Sequence, residues 1–286
     1  MPLPVFECCC VVVIVVTLAA MARVRRAVLG EYAVLAVAGW LGEQSCVAWY
    51  RFYAYAPGWH LRLGHVPVLV PLIWPLVILS ARDVVRACFP EARWPAALVG
   101  LAVVFDASLV EVVAVRAGLW GWAEPGHLGV PLLGVLGWGY FAFGASLRPR
   151  GLLQLVFGLL VAHALILASW WGLFRWTIRG ELGAFGFVPW ALLSVVGAVA
   201  VVAARRRGRS LGLDVAGPRV LAAGLFVALL LTTAPRDPKL LLHTTLVAVP
   251  YLLATSFRGR RSPAAPPAAT APSRGGTARA APSRGA

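Results

Sequence analysis

Apolar residues run along this chain in long, nearly unbroken stretches separated by short polar or basic segments. The pattern is neither the strict alternation of a half-buried strand nor the one-sided stripe of a surface helix. Runs close to the roughly 20 residues needed to cross a bilayer recur from the first residues to the mid-250s. They predict spans at about 4–22, 27–48, 66–81, 94–115, 131–147, 152–174, 187–204, 218–234 and 240–257. The expected fold class is therefore all-α: a polytopic transmembrane helical bundle of about nine spans, occupying residues 1–257. Pro67, Pro71 and Pro75 fall in the third run. Prolines are tolerated in membrane helices where neighbours satisfy the freed carbonyls, so this run predicts a bent helix packed inside the bundle. Residues 258–286 are built from Ala, Pro, Ser, Arg, Gly and Thr and repeat APSRG twice. That composition cannot form a core and predicts a disordered basic tail.

Composition supports this division. The chain is 60% hydrophobic and 13% charged, against about 25% charged in ordinary globular domains. Its net charge of +15 does not point to nucleic acid, because the basic residues sit in clusters between apolar runs and in the tail. Arg23, Arg25, Arg26, Arg82, Arg86, Arg93, Arg148, Arg150, Arg205, Arg206, Arg207, Arg209 and Arg219 fall on one side of the nine-span arrangement, with the tail. Fewer basic residues fall on the other. The positive-inside rule then predicts the N-terminus outside and the C-terminus cytoplasmic, and the expected location is a bacterial plasma membrane. Anionic lipid headgroups at the cytoplasmic face are the expected partner of the basic clusters. The opening residues lack the basic segment of a secretory signal, so the first run is expected to be a retained helix. The five cysteines, three of them consecutive (Cys8, Cys9 and Cys10), form no disulfide framework and no C-x-x-C pair.

Ionisable residues inside spans are costly and mark candidate function. Glu31, Glu43, Asp106 and Glu111 qualify. Glu31 follows Arg25 and Arg26 and reads as a helix-end residue. Asp106 and Glu111 are five residues apart in one helix, about 7.5 Å of rise and about 140° of rotation, so they project differently. Such acids either pair with an Arg or a backbone donor between helices, or serve as proton donors in an apolar site. Aromatic residues crowd the same membrane face: the loop Trp49–Tyr55, then Trp59, Trp120 and Trp122. An interfacial belt would explain some of them. Two related elements follow, HVPVLVPLIW (65–74) and HLGVPLLGVLGW (127–138), each bringing a Pro-containing turn into a span with a Trp. Histidines are scattered. The sequence has no H-E-x-x-H and no phosphate-binding G-x-x-x-x-G-K-[ST], so no metal or nucleotide cofactor is expected.

Residues 106–138 resemble the membrane proteins of carotenoid biosynthesis that include the bacterioruberin-pathway hydratases. The similarity rests on Asp106 and Glu111, Gly118 with Trp120 and Trp122, Gly129-Val130-Pro131 and Gly137-Trp138. Upstream it rests on Glu43, Tyr53 and Tyr55, Val66-Pro67, Pro71 and Trp74. The chain departs from the family pattern at Trp49-Tyr50-Arg51, His65, Val112 and Gly134, and the similar region covers about residues 40–140. The resemblance implies a carotenoid or other isoprenoid lipid as substrate. It also implies acid-initiated hydration of a terminal C=C bond, or an end-group cyclisation that begins with the same protonation. Glu111 or Asp106 would be the acid and Glu43 would orient water. Tyr53, Tyr55, Trp74, Trp120, Trp122 and Trp138 would line the substrate pocket. A proton-coupled transporter using the same acids, or a non-catalytic membrane scaffold, are the alternatives.

Overall fold

The computed structural model describes residues 1–124, 126–148, 151–177, 183–209 and 211–255. The basic tail lies outside the described residues. Among the described residues, nine long helices follow the predicted spans: α1 (Leu3–Val24), α2 (Val28–Ser45), α3 (Leu69–Cys88), α4 (Pro95–Arg116), α5 (Leu132–Leu147), α6 (Gly151–Ser169), then, after the single turn α7 (Arg175–Thr177), α8 (Val188–Arg206), α9 (Leu213–Thr233) and α10 (Pro238–Thr255). Helices are the solution an apolar solvent imposes, because each satisfies its own backbone groups. Among the described residues, five stretches are long and apolar enough to cross a membrane: Leu3–Val24, Pro95–Arg116, Gly151–Phe174, Gly183–Arg206 and Val215–Thr233. Leu132–Leu147 and Pro238–Ala254 are shorter apolar helices. Leucines and valines on α1, α6 and α8 face outward, among them Val12, Val15, Leu152, Leu160, Leu192 and Val199. Water would not tolerate such a surface. The chain is an integral membrane protein.

The third helix is the most internal of the early ones and runs further than its apolar stretch. It starts after Pro67, which lies in a short strand, and continues through Arg82, Asp83 and Arg86 to Cys88. Pro71 falls in its first turn, where no intrahelical N–H is lost. Of the three prolines only Pro75 is interior. The helix is buried over much of its length because α2, α4, α9 and α1 all pack on it. Helices α4, α5 and α6 pack in succession. Small residues allow the close approach usual between membrane helices. A Cβ at Gly144 of α5 would stand 2.5 Å from the Phe157 carbonyl oxygen of α6.

Two short connections at one end of the bundle form the only strands among the described residues that concern the site. Strand β1 (Tyr53–Tyr55) follows α2 through a wider π-type turn at Cys46–Tyr50. After β2 (Arg62–Leu63) and β3 (Val66–Pro67), the chain enters α3. Strand β4 (Trp120–Trp122) joins α4 to α5 and pairs with β1 antiparallel, Tyr53 opposite Trp122 and Tyr55 opposite Trp120.

The opposite end is fastened by charge. Glu31, in the first turn of α2, faces Arg82 rather than Arg25 or Arg26, at 3.6 Å, while Arg25 pairs with Asp83 at 3.5 Å. The Arg82 side chain is 4% exposed. It donates to the Ala145 carbonyl (2.7 Å), Gln154 Oε1 (2.8 Å) and Ser146 Oγ (3.2 Å), tying α3 to α5 and α6. Removing a buried partner strands the remaining polar atoms. Arg82→Met is expected to cost about 2–4 kcal/mol, read as a lower unfolding temperature of the detergent-solubilised protein.

Candidate functional site

Helix α2 carries Glu43 near the end that leads to β1, and α4 carries Glu111 near the end that leads to β4. Alternate residues of a strand share a face. In Tyr53-Ala-Tyr55 and Trp120-Gly-Trp122 the aromatic pairs therefore lie on one side of the β1–β4 ribbon. Cross-strand packing joins them: the rings of Tyr53 and Trp122 are 4.7 Å apart, and those of Tyr55 and Trp120 are 5.9 Å apart.

That face meets the acids. Glu111 accepts three indole N–H bonds, from Trp120 (2.9 Å) and Trp122 (3.0 Å) on Oε2 and from Trp138 (2.7 Å) on Oε1. Glu43 accepts from the Tyr53 hydroxyl, from the Tyr55 hydroxyl (2.6 Å) and, on its other oxygen, from the Trp74 indole (2.8 Å). The two acids are 7% and 2% exposed, Glu43 and Glu111 respectively. Among the described residues, no salt bridge reaches either. Burial, followed by the Glu43 charge, pushes the Tyr53 and Tyr55 phenols well above their ordinary value, so they remain protonated donors.

The two halves match. Each runs from a helix glutamate to an aromatic-x-aromatic strand, then a Val-Pro pair, then a helix tryptophan that returns to the same glutamate. The first strand donor follows Glu43 by 10 residues and Glu111 by 9. Both hairpins point the same way. The tryptophans that close the halves, Trp74 and Trp138, stack at 4.2 Å and 28°. Antiparallel pairing through Ala54 and Gly121 is the contact that two such units make about a local two-fold axis.

The third acid is placed differently. Asp106 Oδ1 accepts from Arg219 Nη1 of α9 (2.7 Å) and from the Tyr251 hydroxyl of α10 (2.5 Å). The half-turn offset from Glu111 directs it toward the late helices rather than the strands. Glu43, Asp106 and Glu111 nevertheless line one cavity of about 170 Å³, together with all six predicted aromatic residues. Its remaining wall is mainly aliphatic and aromatic. It extends along α3 from Leu69 to Ser80, about 16 Å of helix, and suits an elongated apolar molecule.

The acids and aromatics expected from the sequence lie together, and the aromatics are more than pocket walls. They are also the acids' hydrogen-bond donors. The late helices contribute as well: Arg219, Phe226 and Tyr251 reach the cavity from α9 and α10. Arg219 had passed as a topology signal. His163 bridges Ser45 Oγ and the Tyr50 hydroxyl, both at 3.0 Å, as a satisfied polar residue. Comparison with known protein families, curated proteins and solved structures finds no match to this chain.

Gly134 leaves space for an indole. A Cβ there would lie 2.6 Å from Trp122 Cζ2. Gly134→Ala is expected to destabilise by about 1–3 kcal/mol through overpacking. Trp122→Phe removes a donor to Glu111, but it should cost less stability in the Gly134→Ala background than in the wild type, because there it also relieves the clash. Thermal unfolding of the two single variants and the double variant measures the coupling.

Proposed function

We propose that this protein is a membrane enzyme that hydrates a terminal C=C bond of a carotenoid or related isoprenoid lipid, using Glu111 as proton donor and Glu43 as the residue that holds water. The observation that carries the reading is the donor shell of the two acids. A carboxylate has about four acceptor positions, and three are filled at each glutamate. One position is left at each acid for a proton or a water. Two negative charges without a cation would cost several kcal/mol in such a cavity, so the pair carries at least one proton.

The chemistry follows in order. Glu111 transfers its proton to the less substituted carbon of the alkene, whose π electrons form the new C–H bond. A tertiary carbocation and a Glu111 carboxylate result. Aromatic faces around the cavity stabilise the cation. Water held by Glu43 attacks it and gives up a proton to the Glu43 carboxylate, leaving a tertiary alcohol. Proton transfer through water from Glu43 to Glu111 restores the pair. The sum is addition of one water, with no metal or nucleotide needed. Apolar walls limit stray water. The clustered Arg residues support a cytoplasmic C-terminus and, with it, paired acids toward the outer face of the membrane.

Expression in a host that accumulates lycopene and related acyclic carotenoids tests the proposal by chromatography and mass measurement. The expected product is the substrate plus one water. Glu111→Gln should lower its formation by at least about 100-fold, the scale of lost general acid catalysis. An isomer of unchanged mass would assign a cyclase instead. Unchanged pigment, with the protein folded in the membrane, would contradict enzymatic action on this substrate class.

A further inference from the structure

The inner end of the cavity holds a second polar centre. Arg219 uses one nitrogen, Nη1, on Asp106, and Asp106 also accepts from Tyr251. The other two nitrogens of Arg219, Nε and Nη2, are shielded from solvent and have no hydrogen-bond partner among the described residues. Arg219, Asp106 and Tyr251 all line the cavity that Glu43 and Glu111 line. An arginine in the apolar part of a membrane protein is costly and marks function by default. Donors left unmade in such surroundings add to that cost.

Charge and hydrogen bonding can be separated here. Asp106 already neutralises the guanidinium at 2.7 Å. What Arg219 still lacks is an acceptor, not a counter-ion. A carboxylate or phosphate would place a second negative charge beside Asp106. A hydroxyl, carbonyl or ether oxygen would fill the donor positions without that penalty.

We propose that Arg219, held by Asp106 and Tyr251, anchors a neutral oxygen of the cavity's ligand. The inference rests on the isoprenoid reading and narrows it. The ligand is an oxygenated isoprenoid, its oxygen at Arg219 and its alkene at the paired glutamates. The centres are five residues apart on α4, so the oxygen lies about 7.5 Å from the alkene along the helix axis. Asp106 is then a positioning residue for Arg219 rather than a proton donor to the alkene.

The test is binding by the full chain in lipid nanodiscs, read as quenching of the cavity tryptophans. The probes are lycopene, a monohydroxylated lycopene and an apo-lycopenoic acid. The hydroxylated probe should bind about ten-fold tighter than the hydrocarbon, the scale of one hydrogen bond to a charged group, and the acid should gain no such advantage. In Asp106→Asn/Arg219→Met the affinities for hydrocarbon and alcohol should converge. Arg219→Lys keeps the ion pair and loses the planar fork, so it should also reduce the ratio. Equal wild-type affinities, a preference that survives the double variant, or tightest binding of the acid would each overturn the anchor. The hydration reading would stand in those cases, because pigment conversion measures it separately. Absence of quenching by all three probes would overturn the isoprenoid site and the anchor together.

Discussion

A carboxyl group inside the apolar part of a membrane protein must find hydrogen-bond donors in the protein, because the surroundings offer none. Two adjacent glutamates make that demand twice and bring no cation with them. Here it is met by six aromatic N–H and O–H groups, three to each acid. The architecture of the first five helices follows from placing those donors. The β1–β4 ribbon presents four of them on one face, and the stacked Trp74 and Trp138 supply the other two from helices entering by Val-Pro turns. Indoles and phenols suit the task because each joins a polar tip to a large apolar body. They satisfy the acids and wall the cavity at once.

The matched halves explain why the aromatic residues are denser than an interfacial belt requires. A belt residue needs only to sit at the headgroup level. Tyr53, Tyr55, Trp120 and Trp122 also have to alternate along a strand and align across a ribbon. The same geometry accounts for Gly134, whose missing side chain leaves room for Trp122. At the other end of the bundle, the Arg82 cluster joins α2, α3, α5 and α6. The apolar cavity therefore lies between two polar fastenings in the early helices, and α9 and α10 close it from the side with Arg219, Phe226 and Tyr251.

Much of this was legible before any coordinates. Apolar runs located all nine helices because span length is set by bilayer thickness. The acids and aromatics stood out because both are expensive or unusual where they occur. The donor relation between them was hidden. No local pattern states that Trp138 reaches Glu111, 27 residues away, or that β1 pairs with β4 across α3 and α4. Arg219 was hidden for a different reason. It follows the basic cluster at residues 205–209 and groups with it as a topology signal, and only packing of α9 against α4 sets it beside Asp106. Glu31 reads in the sequence as a helix-end residue and does lie in the first turn of α2, but its partner Arg82 is brought to it by the long α3.

The central claim is that Glu43 and Glu111 form a buried pair that holds a proton available for chemistry. Infrared spectroscopy of the protein in lipid at neutral pH tests this most directly. The account predicts a protonated-carboxyl C=O stretch that shifts on exchange into deuterated water and is lost in the Glu43→Gln/Glu111→Gln double variant. A spectrum with carboxylate bands alone, or a protonated band that persists in that variant, would contradict it.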